Sequence, residues 1–173
     1  MATTEKRLCS YLREHSAGKN MLPFDEYPGN GRQLLGKPSS GDGTCRHGYG
    51  PPIFELSGTT CVYCGRDLKS SYESWLDISV DHVIPLSVSA DWSRQRNDWI
   101  WDKANMVTCC RACNEFFNRH KVNDPLPRDI SEFFDLRDRV FREKQERARQ
   151  RHGKECLRYK EWLTNEEKKR ADC

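Results

Sequence analysis

Two CxxC pairs constrain this chain more than any other feature. Cys61-Val62-Tyr63-Cys64-Gly65 and Cys110-Arg111-Ala112-Cys113 offer four thiolates to one Zn²⁺, and a two-residue gap lets both sulfurs of a pair reach one ion from a tight turn. The 45 residues between the pairs exceed the usual zinc-ribbon gap, so a folded element has to sit between them. Cys109 is adjacent to Cys110, and either could pair with Cys113. The spacing favours Cys110 and leaves Cys109 as a small apolar core residue. Cys45-Arg46-His47 resembles half of a second site, but no matching pair is evident. Cys9, Cys156 and Cys173 are isolated. These four cysteines are read as non-ligands.

Composition agrees with a metal-assisted core. Of 173 residues only 36% are hydrophobic and 32% are charged, too little apolar surface for a large core to fold unaided. No apolar run is long enough to span a membrane, and Met1 to Leu22 lacks the apolar stretch of a secretory signal. The expectation is a cytoplasmic protein with reduced thiols, where clustered cysteines point to metal sites or catalysis rather than disulfides. The net charge is only +3, but Arg137 to Arg170 holds 13 Lys/Arg against 7 Asp/Glu, a local +6. That arm suits phosphate contacts; equally, it suits a solvated helix face held by its own ion pairs.

Three segments follow. Residues 1–57 read as an N-terminal extension, mostly loop, with a helix candidate at Thr4 to His15 and punctuation at Tyr27-Pro28-Gly29-Asn30-Gly31 and Gly50-Pro51-Pro52. Residues 58–122 hold most of the cysteines, a strand pattern at Leu76 to Val80 and a short helix at Arg111 to Arg119. Residues 123–173 read as a C-terminal helical extension. Its first helix has Asp129 as N-cap and Glu132 three residues on, buries Phe133, Leu136, Val140 and Phe141, and ends near Arg151. Gly153 breaks it before a further stretch at Leu157 to Leu163.

Between the cysteine pairs lies Ser79-Val80-Asp81-His82-Val83-Ile84-Pro85-Leu86. Asp and His inside a strand pattern are costly to bury unless paired or metal-bound. Either the dipeptide is a solvated strand end, or Asp81 ligates a hard divalent cation while His82 acts as general base on water. Asn114 directly follows the last cysteine, a rigid place for an oxygen that must meet a metal.

The runs CVYCG, VDHVIP and NMVTCCRACN resemble the HNH endonucleases, in their zinc-containing His-Asn-Asn variant, over about Thr60 to Asn118. The resemblance implies an α+β fold: a small ββα-metal (His-Me finger) core with a four-cysteine zinc knuckle, flanked by an irregular N-terminal extension and a basic helical C-terminal one. It implies His82 as general base, Asp81 and Asn114 as ligands of a catalytic Mg²⁺ or Mn²⁺, Asn105 as a brace for the loop and the histidine, and Cys61, Cys64, Cys110 and Cys113 as structural zinc ligands. Asparagine stands at the third signature position, where an amide oxygen suits Mg²⁺ better than imidazole does. Asn118 competes with Asn114 for that role and ranks second. His120 is at best a phosphate or surface contact, and His15, His47 and His152 read as surface residues. Trp92, Trp99 and Trp101, in the long loop from Ser87 to Lys103, either stack on an exposed base or form a small aromatic core, the second being the plainer reading.

The expected function is metal-dependent hydrolysis of DNA phosphodiesters, and the resemblance implies products with 5′-phosphate and 3′-hydroxyl ends. The alternative is a zinc-knuckle DNA-binding module without nuclease activity. DNA is the expected partner, with no membrane involvement.

Overall fold

The protein is described from a computed structural model, which covers Pro38 and residues 44–88, 97–117, 120–128 and 130–171. The helix expected at Thr4 to His15 and the cap expected at Asp129, together with Cys9, Trp92, Asn118 and Cys173, lie outside those residues. Pro51–Ser57 (α1) and Tyr72–Leu76 (α2) precede the strand Ile78–His82 (β1). A short helix Asn97–Ile100 (α3) and a 3₁₀ turn Lys103–Asn105 lead into the strand Met106–Cys110 (β2). Then come Arg111–Phe116 (α4) and a single helix Ile130–Ala171 (α5).

β1 and β2 form a two-stranded antiparallel sheet that pairs Ile78 with Cys110 and His82 with Met106. The strand begins two residues later than its alternating pattern suggests, because Ser71 caps α2 and draws Leu76 into that helix. Helix α1 rises out of residues that read as punctuation. Prolines at the first helical positions lose no hydrogen bond there, since those N–H groups have no intrahelical partner. The helix buries Ile53 and Phe54. Its Ser57 hydroxyl accepts from the Thr108 N–H at 2.9 Å and meets the Thr108 hydroxyl at 2.6 Å, fastening α1 to β2.

α5 is 42 residues long, so about 63 Å. Phe133, Phe134, Val140, Phe141 and Ala148 are buried, and Trp99 meets Phe133 edge-on at 4.9 Å. The aromatic-core reading therefore holds for Trp99. Two buried cations interrupt the same face: the Arg137 Nε–H donates to the Ala104 carbonyl at 2.6 Å, and Lys144 reaches β1. Past Ala148 the helix leaves the core, and Leu157, Tyr159 and Trp162 are exposed. The surface carries the expected ion pairs, among them Arg139–Glu143, Arg149–Glu146 and Arg158–Glu155. Among the described residues, Arg142, Arg147, Lys154 and Lys160 have no acidic partner.

The break expected at Gly153 is absent. One glycine lowers helix propensity without reversing it when strong helix formers flank it on both sides. A Cβ at Gly153 would meet nothing within 4 Å. Gly153→Ala should therefore stabilise the helix by about 0.5–1 kcal/mol. Urea unfolding followed by circular dichroism checks this, and a loss of stability would mean that the helix does not run through this position.

Candidate active site and metal centre

The Sγ atoms of Cys61, Cys64, Cys110 and Cys113 lie within 4.8 Å of one another. A tetrahedral ZnS₄ centre with Zn–S bonds of about 2.3 Å needs sulfurs roughly 3.8 Å apart, and the Cys64–Cys110 separation is 3.8 Å. Local geometry builds this cluster. Gly65 adopts φ +78°, a conformation cheap only for glycine, and its N–H closes the first knuckle on the Cys61 carbonyl at 2.9 Å. In the second knuckle Cys110 is the N-cap of α4 and its sulfur accepts from the Cys113 N–H. Hydrogen bonds from Cys110 and Cys113 pull the Cys64 thiol well below the usual cysteine range. Contacts with Cys110, Cys61 and Cys64 push Cys113 well above it. Four crowded sulfurs cannot all ionise unaided, and a Zn²⁺ ion removes that conflict. The donor set and spacing both fit zinc.

The strand register separates the adjacent cysteines. Cys110 stands at the cluster, while Cys109, opposite Ser79, is fully buried in the core. Cys45 is outside the cluster and Cys156 is exposed. His152 departs from its surface reading: its Nε2 lies 3.2 Å from the Cys113 sulfur and its ring packs edge-on against Phe116. His120 is also not on the surface; its side chain is 11% exposed and its Nε2 lies 3.5 Å from Glu143 on α5.

At the end of β1, Asp81 and His82 meet the rest of the signature. Asn105 is fully buried and binds main chain only. Its Oδ1 accepts from the Ile84 N–H at 2.9 Å, and its Nδ2 donates to the carbonyls of Ile84 at 2.9 Å and Ile100 at 3.0 Å. Asp102 caps the 3₁₀ turn that presents it, accepting from the Ala104 N–H at 2.8 Å. Asn105 thus fixes the chain immediately after His82. Asn114, on α4, donates from Nδ2 to the Ser79 hydroxyl at 3.0 Å, which leaves its amide oxygen available as a donor to a cation.

His82, Asp81, Asn114, Trp101, Leu86 and Lys144 share the walls of a mostly apolar cleft of about 650 Å³. The His82 Nε2 is buried and has no hydrogen-bond partner among the described residues. Trp101 stands edge-on to its ring at 5.0 Å. Burial drives the His82 pKa down to about 4; the Lys144 charge acts in the same direction and Asp81 opposes it.

Sequence reading missed Lys144. This side chain, 1% exposed, donates to Asp81 Oδ1 at 3.0 Å, to Asp81 Oδ2 at 2.7 Å and to the His82 carbonyl at 2.7 Å. The Tyr63 hydroxyl also donates to Asp81 Oδ2, at 2.5 Å. The available signal was position: Lys144, like Arg137, falls on the apolar stripe of α5, one turn after Val140 and Phe141 and one before Ala148. The hard oxygens of Asp81 and Asn114 are chemically right for Mg²⁺ or Mn²⁺. In this arrangement, however, both Asp81 oxygens are engaged by an ammonium, and the carboxylate does not accommodate a divalent ion beside it.

Residues 61–116 match the family model described as HNH endonuclease, a segment that contains both CxxC pairs, Asp81, His82, Asn105 and Asn114. The segment expected to resemble that family therefore does match it, and the two-stranded sheet, the helices and the four-cysteine cluster agree with a small α+β knuckle fold. No curated protein and no solved structure matches the chain.

Cys110→Ser should lose the bound zinc and most of the folded signal. Cys109→Ser should keep one zinc per chain and lose only core stability. Metal analysis of the two purified variants checks this, and zinc retained by Cys110→Ser would transfer the ligand role to Cys109.

Proposed function

We propose that the chain is a DNA endonuclease that hydrolyses phosphodiester bonds, with His82 as general base. The carrying observation is a desolvated histidine, neutral at physiological pH, at the end of a strand in a cleft shared with Asp81 and Asn114. The match of residues 61–116 to the HNH endonucleases supports the same reading. Residues 58–122 carry the chemistry, with 1–57 and 123–173 as flanking extensions.

His82 accepts the proton of an attacking water through a free imidazole nitrogen. The apolar cleft wall keeps that ring neutral, and Asn105 holds the backbone that aims it. Asp81, once Lys144 has left its carboxylate, and Asn114 are the residues that would hold a Mg²⁺ or Mn²⁺ ion. Such an ion, when bound, supplies charge stabilisation for the phosphate and the leaving oxygen. Zinc, which the four cysteines would hold, would be structural. The Lys/Arg excess of α5 supplies sequence-independent affinity for phosphates, and no helix among the described residues is long and apolar enough to cross a membrane.

One observation favours a second reading. The Asp81 carboxylate is satisfied by Lys144, as it would be in a DNA-binding module that performs no chemistry. A plasmid-nicking assay with Mg²⁺ or Mn²⁺ separates the two.

His82→Ala should fold, retain zinc and bind DNA, yet lose at least about 10²-fold in cleavage rate. A base with its pKa near 4 is already deprotonated at pH 6. The cleavage rate should therefore show no histidine inflection between pH 6 and 8, where an unperturbed imidazole would give one at about 6.5. A His82→Ala protein that cleaves at the parent rate would remove the assignment.

A further inference from the structure

A carboxylate offers about four lone-pair positions. At Asp81 three are taken, two by Lys144 and one by Tyr63. Lys144 stands across both oxygens, where a cation chelated by Asp81 would also have to stand. Its three ammonium hydrogens are spent on Asp81 Oδ1, Asp81 Oδ2 and the His82 carbonyl. None remains for a phosphate oxygen, so the contact is not that of a side chain poised to bind substrate. Its grip on the His82 carbonyl also ties α5 to the residue that performs the chemistry.

We propose that Lys144 is a tethered counter-ion that competes with a divalent cation for Asp81, so that the protein without nucleic acid keeps its hydrolytic centre closed to metal. The inference rests on the hydrolytic reading above and adds its regulation. The helix that carries Lys144 also carries Arg142 and Arg147 within one turn, both exposed and without an acidic partner among the described residues. Phosphates drawn to those arginines act on the element that holds the counter-ion. Withdrawal of Lys144 frees the carboxylate without leaving it uncompensated, since the incoming cation takes over its charge.

The test uses the full zinc-loaded chain and Mn²⁺ as probe, read by electron paramagnetic resonance and by thermal unfolding. Wild-type protein without DNA should bind Mn²⁺ only in the millimolar range. Lys144→Met should melt lower than wild type without Mn²⁺, recover with it, and bind Mn²⁺ at least ten-fold tighter. Asp81→Asn combined with Lys144→Met should lose that gain. Micromolar Mn²⁺ binding by the wild type that Asp81→Asn abolishes would overturn the proposal, as would a folded Lys144→Met protein that binds no tighter. Should Lys144→Met fold only when Mn²⁺ is present, the competition stands. Should it fail to fold with Mn²⁺ as well, the wild-type and Asp81→Asn affinities decide. None of these readouts depends on cleavage: a gain in Mn²⁺ binding without nicking by any variant would remove the nuclease reading and leave the competition intact.

Discussion

The convergence of four sulfurs is the constraint on which the rest of the structure depends. A two-stranded sheet is marginal in water, and β1 and β2 are joined by a long connection whose closure costs entropy. The knuckles lie at the far ends of that closure. Cys61 and Cys64 sit on a turn whose Val62 N–H bonds to the Thr108 carbonyl of β2 at 3.2 Å, and Cys110 ends β2 and caps α4. One ion gripped at this point would fix strand register, helix start and the position of Asn114 together. A single-residue slip would carry Cys109 to the cluster and Cys110 into the core, and would turn over every side chain of β2.

The second organising contact is the ion pair between Lys144 and Asp81. Two charges taken out of water cost several kcal/mol each, and their attraction repays this only when the remaining hydrogen-bonding groups are satisfied. Tyr63 and the His82 carbonyl complete that requirement. Tyr63 belongs to the first knuckle, stacks on Phe141 of α5 at 5.2 Å and meets Phe117 edge-on at 4.6 Å. The zinc turn, the strand end and the long helix thus meet around one carboxylate. His152, farther along α5, reaches the Cys113 sulfur and ties the helix to the knuckle at a second place.

These contacts mark where the sequence was legible. Paired spacing located the four cysteines because the chemistry requires it within a few residues. The Asn105 amide faces main chain, a local arrangement set by the Asp102 cap and the residues after His82. Lys144 and His152 were opaque for the opposite reason. Their partners lie 63 and 39 residues away, and helical spacing that turns a side chain toward the core does not say what it meets there. The helix break at Gly153 failed because propensity is a weak prior beside a continuous run of helix formers. His120 was misplaced because its partner, Glu143, also lies on the distant helix.

Charge balance explains why an ammonium in this position need not defeat a hydrolytic centre. With Lys144 on Asp81, one positive and one negative charge cancel where both side chains are buried. A divalent ion in place of the ammonium leaves the pair at +1, an unfavourable excess in low dielectric beside a histidine that burial already keeps neutral. A phosphodiester brings −1 and restores the balance. On the competition reading, cation and substrate therefore enter more favourably together than apart, and each raises the affinity of the other by the same factor. The physical requirement is a helix long enough to feel phosphates along its exposed side while its buried side carries the counter-ion. α5 meets it within two turns, where Arg142 and Arg147 face solvent on either side of the buried Lys144.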